Sequence, residues 1–353
     1  MNFSKIFKIA SGILLLSLLS CNSTGGQIEP DSDAVNVLFA VDSFEDTQIT
    51  KTIVTDVDRG TIHWVDGDVI GIFPYEGYQQ PFQIPADQIN QADAIFDGGH
   101  WALKSGLEYN AYYPFEVGNF VSPDMKKQIP LDYTGQSQYG AAINTGRYDF
   151  TYSDWQTAPA SGSVNFKFHH IGSLVVMNVE YPVTAEFTKL GFSIKKTHGD
   201  KATGDDPTLA CIPVTGTFDL TYNHNKEPEQ GQTYVKIPYV GTSNADYIGI
   251  DVYNEDGTAG ISGTKGETAT FYMMVPPMDL TALEEGWLIR FELIAADSTV
   301  YQCAVYPVNF QSGKKYTLTL TPVKSWEDKV VVTPEIGNWE DQSGSATPPP
   351  VFE

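Results

Sequence analysis

Two aspartates flank a glycine in the segment RGTIHWVDGDVIGIF, residues 59–73, and carboxylates this close together could serve as a catalytic pair or hold a metal ion. The paired carboxylates of a glycosidase stand roughly 5 to 9 Å apart across a substrate cleft. Asp66-Gly67, in contrast, lies between two apolar runs, which is a strong short-range signal for a hairpin turn. The pattern therefore favours a turn in a β-scaffold over an active site built on Asp66 and Asp68.

The acidic segment 254–257 (Asn-Glu-Asp-Gly) and the adjacent histidines His169 and His170 are further candidates for metal ligands. The acidic segment lacks the spacing and the distal glutamate of an EF-hand loop, so a turn is the better interpretation. Adjacent residues of a strand point to opposite faces, so one histidine should pack inward and the other should face solvent. There is also no G-x-S-x-G elbow, no P-loop and no G-x-G-x-x-G after a strand. We expect no catalytic residue, no metal and no cofactor, and hence a protein that is not an enzyme.

The first 20 residues have the pattern of an export signal. Two lysines precede an apolar run, Ile9 to Leu19, that is short for a membrane span. The four residues that end at Cys21, LLSC, resemble a bacterial lipobox and predict lipidation of this cysteine; an ordinary signal peptide with a chance cysteine is the alternative. Residues 21–34 are small, polar and turn-rich, which suits a flexible tether between lipid and fold.

Charge and cysteine content narrow the classes of partner. Without residues 1–20 the chain has 19 basic and 44 acidic side chains, a net charge of −25. Phosphate binding needs a basic face, so we expect no nucleic-acid partner and a self-repelling, soluble surface. Apart from Cys21 only Cys211 and Cys303 remain, and in an exported protein they could form one disulfide.

The elements that would position these residues are strands. No amphipathic helix longer than about 12 residues follows the signal, whereas short apolar or alternating runs recur between Gly, Pro, Asn and Asp. Examples are VNVLFAV (35–41), VIGIF (69–73), SLVVMNVEY (173–181), KYTLTLTPV (315–323) and KVVVTPEI (329–336). This pattern predicts β-sandwiches. The length favours two, at 35–182 and 183–340, followed by a proline-rich tail at 341–353.

Aromatic residues are abundant, with 19 tyrosines, 19 phenylalanines and 6 tryptophans. On a β-scaffold they could form a platform that stacks on sugars, although they more often pack cores and cross-strand pairs. A surface glycan-binding lipoprotein of a nutrient-uptake system is therefore the alternative class.

Several motifs, taken in their order along the chain, resemble the fimbrillin family of Bacteroidales, whose members are lipoprotein-precursor pilins. The motifs are the lipobox at Cys21, Trp64-x-x-Gly67-Asp68-x-Ile70-Gly71-Ile72-Phe73, Phe168-His169-His170-x-x-Ser173-Leu174-Val175-Val176, Val275-Pro276-Pro277, Gly313-Lys314-Lys315-Tyr316 and Ile336-x-x-Trp339. The resemblance covers most of the chain and implies two tandem transthyretin-like β-sandwich domains.

The resemblance also implies a route of assembly. Such a protein is exported as a lipoprotein and held at the outer membrane through its lipid. A trypsin-like, often arginine-specific, protease then removes the N-terminal segment with the first strand. A strand from another pilin subunit fills the groove by β-strand addition. The expected location is first the outer membrane and then the fimbrium, and the expected partners are further copies or tip and anchor subunits.

Two rows of apolar residues match the two strands that this route needs. The row that would fill the groove before cleavage shares one strand face and consists of Val35, Val37, Phe39 and Val41. The row that would replace it consists of Val330, Val332 and Ile336 within the donor segment 329–339. Because Pro334 interrupts any ladder there, the alternative is that 329–339 is simply the last strand of its own sandwich.

Only three arginines follow the signal: Arg59, Arg147 and Arg290. Arg290 lies in a strand-like run and should be protected, and Arg147 lies in a loop-like stretch within the first domain. Arg59 follows the first strand in a polar connection and is the best placed cleavage site. The family more often has its arginine near position 51, where this chain has Lys51. The cut could therefore fall at Arg59 or at Lys51, or the protein could be an uncleaved anchor or accessory lipoprotein.

Overall fold

The strands of this chain are seen in a computed structural model. It describes residues 34–39, 53–56, 61–74, 77–89, 91, 94–99, 101–116, 128–140, 145–161, 163–196, 211–220, 239–281, 283, 287–324, 331–332 and 335–338. Within these ranges there is no α-helix, and two short 3₁₀ turns lie at Ala86–Gln88 and Gly146–Tyr148. No helix in the described part of the chain is long and apolar enough to cross a membrane. The prediction of an all-β protein is confirmed.

The first half of the chain provides β1 (Ala34–Phe39), β2 (Ile53–Asp56), β3 (Thr61–His63), β4 (Val69–Pro74), β5 (Gln80–Gln83), β6 (Ala94–Phe96), β7 (Leu103–Lys104), β8 (Glu108–Tyr113), β9 (Gln128–Asp132), β10 (Gln136–Tyr139), β11 (Thr151–Ser153), β12 (Gln156–Thr157), β13 (Ser163–Asn165), β14 (Phe168–His170) and β15 (Ser173–Glu180). The second half provides β16 (Ala185–Lys196), β17 (Ile212–Asp219), β18 (Tyr239–Ala245), β19 (Tyr247–Tyr253), β20 (Ile261–Gly263), β21 (Thr268–Val275), β22 (Met278–Asp279), β23 (Trp287–Ala295), β24 (Val300–Val305), β25 (Asn309–Phe310), β26 (Lys314–Leu320), β27 (Val331–Val332) and β28 (Glu335–Asn338).

The burial of each strand follows from its apolar pattern. In β17 the even-numbered residues are buried and the odd-numbered ones are half-buried, as the alternation in IPVTGTFD predicts for a sheet with one covered face. In β15 the run SLVVMNVE is buried at almost every position, which shows that both of its faces are covered. Its two edges pair with β21 and β26.

The first hydrophobic core lies among the strands of two sheets near the N-terminus. One sheet has the order β14-β11-β8-β4-β5, and the other has the order β13-β1-β6, with β7 also paired to β1. Trp64 is fully buried in this core and packs edge-on against Phe96 at 4.7 Å and Tyr113 at 5.5 Å between ring centroids. Such aromatic contacts add to the burial of a large apolar surface, so Trp64 is an anchor of the core.

The second hydrophobic core contains residues of both halves of the chain. Two sheets contribute most of it, with the orders β10-β19-β16-β23-β24-β27 and β21-β15-β26-β28. A three-stranded sheet, β18-β17-β9, adds Ile129, Leu131 and Phe218. Strand β8 contributes to both cores, because Ala111 belongs to the first and Tyr112 to the second.

The sheet pairing does not follow the boundary expected between residues 182 and 183. Strand β15, which precedes this boundary, pairs over its whole length with β21 and also pairs with β26. Strands β9 and β10 likewise pair with β17 and β19. The described residues belong to one contact unit. Sheet pairing thus crosses the expected boundary, because an apolar run predicts that a strand is buried but not which strand pairs with it. The division into two domains stays a prediction.

Candidate functional site

The N-terminal strand β1 lies inside its sheet. It pairs in parallel with β13, where Val37 is opposite Val164, and in antiparallel with β6, where Val37 is also opposite Phe96. Its first residues pair with β7. A strand with neighbours on both sides leaves two unpaired edges when it is removed, so β1 marks a candidate strand-exchange site.

The register relates the odd-numbered row of β1 to buried residues of the neighbouring strands. Val35 is opposite Leu103, Val37 is opposite Phe96 and Val164, and Phe39 is opposite Ala94. Those four partners are buried members of the first core. Residues opposite each other in adjacent strands share a face of the sheet, so the register places this row opposite core positions of the neighbouring strands. Its role as a groove filler stays a prediction, and Val41 lies outside the described residues.

The C-terminal segment pairs within its own chain as two short edge strands. In β27, Val332 is opposite the buried Val305 of β24, and in β28, Ile336 is opposite the buried Tyr316 of β26. Each of these strands is the last in its sheet and has one neighbour. The segment changes from one sheet to the other around Pro334, which cannot donate a ladder hydrogen bond. Strands β27 and β28 therefore pair with strands of their own chain, and Val330 lies outside the described residues.

The candidate processing positions Cys21, Lys51 and Arg59 also lie outside the described residues. The other two arginines are placed. Arg290 is 5% exposed in β23, and its guanidinium donates to the Glu292 carboxylate, with Nη2 2.7 Å from Oε1. Its predicted protection is confirmed. Arg147 is exposed in the second 3₁₀ turn and is accessible to a protease.

The Asp-Gly segment forms a turn, but it does not join the strands of a hairpin. Strand β3 before it pairs with β2, and β4 after it pairs with β5 and β8. The amide of Asp68 donates to the Val65 carbonyl at 3.2 Å, and Gly67 has a φ of +87°. A positive φ at the third position is the mark of a type II turn, which favours glycine there. The hairpin prediction was wrong because a local turn signal does not determine strand pairing.

The two aspartates have different surroundings, and both are consistent with a scaffold. Asp66 is exposed. Asp68 is 5% exposed; its Oδ2 accepts from the Val65 amide at 2.8 Å, and its Oδ1 accepts from the Tyr113 hydroxyl at 2.9 Å. The carboxylate therefore fastens the turn to β8, at a position next to Trp64.

Substitution of these aspartates should separate a structural from a catalytic role. We expect Asp68→Ala to lower the free energy of unfolding by about 1–3 kcal/mol, because it leaves a buried donor without an acceptor. We expect Asp66→Ala, its matched control, to change it by less than about 0.5 kcal/mol. Urea unfolding followed by fluorescence measures both. Equal changes in the free energy of unfolding for the two variants would contradict the structural role assigned to Asp68.

The paired histidines each lie beside an aspartate. His170 is buried, and its Nδ1 is 2.5 Å from Oδ1 of the buried Asp149. His169 is half-buried, with Nε2 3.5 Å from the carboxylate of Asp154. The expectation that one of them faces solvent was wrong, since both are largely covered. No group of three or more ligand-type side chains could hold a metal ion in the described part of the chain.

The disulfide considered between Cys211 and Cys303 is not formed in this structure, where both thiols are free. Cys303 is buried in β24, and Cys211 is half-buried next to the first residue of β17, which belongs to a different sheet. Burial raises the pKa of the Cys303 thiol to about 12 and also raises the pKa of Cys211. Since the thiolate is the reactive form, both cysteines should be poor nucleophiles.

A pocket of about 530 Å³ opens beside β9 and β17. Its lining is mixed: Pro114, Pro130, Leu131 and Phe150 are apolar, and Asp132, Thr134, Arg147, Tyr148, Thr215 and Thr217 carry polar groups. The Tyr148 hydroxyl donates to the Gly135 carbonyl at 2.7 Å, which fixes the ring at the rim. This volume is in the range of small-ligand sites. No sequence motif indicated the pocket, because its residues come from separate strands and turns.

The fold and the placement of β1 define an all-β sandwich protein with its N-terminal strand inserted between two others. The sequence profile of the fimbrillin-like family matches residues 50–339, and the chain belongs to this family. The resemblance noted from the sequence motifs is thereby confirmed.

Several solved structures that are similar to this chain come from Bacteroidales. A protein of Bacteroides uniformis assigned to cell adhesion covers 84% of this chain and 98% of its own length, at 14% identity and a TM-score of 0.49. A similarly assigned protein of Bacteroides ovatus covers 87% and 96%, at 16% identity and a TM-score of 0.47. The tip fimbrial protein Mfa3 of Porphyromonas gingivalis, with a C-terminal truncation, covers 86% and 99%, at 11% identity and a TM-score of 0.41. No curated protein matches this chain.

Proposed function

We propose that the protein is a structural pilus subunit made as a lipoprotein precursor and assembled by strand exchange, with no enzymatic activity. Residues 1–20 direct its export, and lipid on Cys21 holds the precursor at the outer membrane. A trypsin-like or arginine-specific protease cuts after Arg59 or Lys51 and releases the first strand. Another pilin subunit then supplies the replacing strand, and the product is a fimbrium that supports adhesion.

The observation that carries this proposal is the position of β1 inside its sheet. It is the first strand among the described residues, and Lys51 and Arg59 both follow its last residue, Phe39. A cut at either position separates β1 from the rest of the chain. Its departure would leave the edges of β6 and β13 unpaired, with Phe96, Val164 and Leu103 beside the vacancy. Such a slot suits an extended strand with apolar residues at alternate positions.

The C-terminal segment supports the donor role because β27 and β28 are edge strands with one neighbour each. Val332 and Ile336 are opposite buried residues in their present sheets, so the same row is apolar where the slot requires it. Burial of each such side chain in a groove stabilises by roughly 1.5–3 kcal/mol, before the cost of association is subtracted. In the slot a donor strand would pair with two neighbouring strands, whereas β27 and β28 each pair with one in their present sheets. The additional backbone pairing favours the exchange.

The mature form of the surface protein tests the proposal directly. We expect N-terminal sequencing of SDS-resistant assemblies from the cell surface to begin at Gly60 or Thr52, because cleavage precedes assembly. A chain that still begins at lipidated Cys21 within a fimbrium would assign the anchor or accessory role instead. Recovery of the surface protein only as an unassembled, uncleaved monomer would contradict a pilin.

The pocket beside β9 and β17 favours a second candidate function, the binding of a surface glycan, because its lining combines apolar residues with hydroxyl and charged groups. Threonine hydroxyls both donate and accept hydrogen bonds, the Asp132 carboxylate accepts from sugar hydroxyls, and the Arg147 guanidinium donates to them. The Tyr148 ring offers a partly exposed face at the rim. A glycan-binding lipoprotein of a nutrient-uptake system would use such a site without cleavage of β1.

Affinity electrophoresis in polysaccharide gels tests this second candidate. We expect a bound polysaccharide to retard the protein, and Arg147→Ala to weaken binding by about tenfold or more through loss of a charge-assisted hydrogen bond. Lys104→Ala, which removes an exposed cation away from the pocket, is the matched control. Equal retardation of both variants would exclude the pocket as the glycan site.

A further inference from the structure

Two glutamine side chains of β10 occupy the edge of the sheet β21-β15-β26-β28, on the side where β21 is the last strand. Gln136 Oε1 accepts from the Met274 amide at 2.8 Å, and its Nε2 donates to the Met274 carbonyl at 2.7 Å. Gln138 Oε1 accepts from the Tyr272 amide at 3.0 Å, and its Nε2 donates to the Thr270 carbonyl at 3.1 Å. Both glutamines are buried.

The two-residue spacing of the glutamines in β10 explains why both can bond to the backbone of β21. Side chains two residues apart in a strand share a face and stand about 6.6–6.8 Å apart, which is also the repeat of the outward amides at Tyr272 and Met274. A carboxamide carries a donor and an acceptor, as a peptide group does. Gln136 and Gln138 therefore present to β21 the same alternation of groups that the backbone of a paired strand would present.

We propose that Gln136 and Gln138 act as an edge block, taking the place of the second neighbour that β21 lacks among the described strands and preventing a second copy of this chain from pairing there. An unprotected edge strand is a template for intermolecular pairing. Strand β21 is eight residues long and rich in apolar side chains, TATFYMMV, so an open edge here would be a strong template. The backbone of β10 itself pairs with β19, which fixes the two glutamines in place.

The two sides of this sandwich are closed in different ways. At the end opposite to β10 and β21, which we call the far side, the edges of β24 and β26 are covered by the backbones of β27 and β28. These two strands belong to one segment near the C-terminus. On the near side, the cover is made by side chains of a strand in the middle of the chain. The first cover can leave by moving one terminus, whereas the second can leave only by breaking the β10-β19 pairing.

A double variant, Gln136→Met/Gln138→Met, tests the edge block in the purified, unprocessed chain. Methionine has nearly the volume of glutamine but no hydrogen-bonding amide. We expect hydrogen exchange at the Tyr272 and Met274 amides to rise by about tenfold or more. We also expect concentration-dependent dimers and larger species in sedimentation velocity. The control, Gln83→Met/Gln302→Met, makes the same exchange on other strands and should behave as the parent protein.

Unchanged exchange at Tyr272 and Met274 would overturn the proposal, because other groups would then protect the edge. Faster exchange without any self-association would overturn it as well, because the edge would not be a docking template. If the double variant does not fold, Gln138→Met alone gives the same test at Tyr272, leaving Met274 as an internal reference. The readout needs neither cleavage nor the C-terminal segment, so failure of the pilin role would leave it unaffected.

Discussion

Brief trypsin treatment of the purified precursor should convert monomers into a ladder of SDS-resistant oligomers. The cut is expected after Arg59 or Lys51, and it should release β1 from between β6 and β13. Removing a strand with two neighbours exposes two edges and an apolar face at once, which is a much larger disturbance than loss of an edge strand. Association then relieves this exposure by inserting a strand of another subunit.

The expected stability of the oligomers follows from the apolar side chains that the donor strand buries in the slot. Three apolar residues entering the slot contribute about 5–9 kcal/mol from burial alone, to which the ladder hydrogen bonds add. The cost of association reduces this sum, but dissociation would still require the slot to reopen. We therefore expect oligomers that persist in SDS without heating and dissociate on boiling. Electrophoresis with and without heating measures this.

Substitution of the cleavage residues provides the control. The double variant Lys51→Ala/Arg59→Ala should stay monomeric under the same treatment, because β1 is no longer released. Arg147→Ala should behave as the parent protein, although Arg147 is exposed and is a site of incidental cleavage. Mass spectrometry of the products distinguishes the three cuts. Cleavage at Arg59 with complete retention of the monomer would contradict assembly through the β1 slot.

Deletion of residues 329–353 should abolish the oligomer ladder and leave a folded monomer. The deleted segment contains β27 and β28, which are terminal strands with one neighbour each, so the cores retain their central strands. The donor row Val330, Val332 and Ile336 is lost with it. Trypsin treatment of this variant should give the trimmed monomer only, and circular dichroism should show that the β-structure remains.

Deletion of residues 341–353 alone is the matched control, and it should leave the ladder unchanged because the donor row is intact. Undiminished oligomers from the longer deletion would exclude 329–339 as the donor and would leave it as the last strand of its own sandwich. Reduced but detectable oligomers from Val332→Asp/Ile336→Asp would place the donor within this segment and show that the backbone contributes as well.

Apolar periodicity predicted many of the strands well. The runs at 69–73, 173–181 and 315–323 correspond to β4, β15 and β26, because each has a length and composition typical of a buried strand. Strand β10, in contrast, was missed. Its sequence QSQY has no apolar alternation, since its inward residues are Gln136 and Gln138, which bond to the backbone of β21.

Tertiary contacts determined the surroundings of the residues that had suggested a catalytic or metal-binding role. Asp68 is buried because the Tyr113 hydroxyl and the Val65 amide satisfy its carboxylate, while the neighbouring Asp66 remains exposed. His169 and His170 are covered because an aspartate lies beside each one. Apart from Val65, these partners come from positions 15 to 45 residues away, and nothing in the local sequence marks them.

The sequence by itself determined that this chain is an all-β protein of the fimbrillin-like family with an apolar first strand. These properties depend on local patterns of apolar residues and on motifs read in order. Only the tertiary structure decided that β1 is enclosed between two strands, that β15 joins sheets of the C-terminal half, and that two glutamines close the edge of β21. Strand pairing joins residues far apart in the chain, and hydrogen bonding between backbones is nearly independent of sequence, so the choice of neighbours emerges only when the whole core is packed.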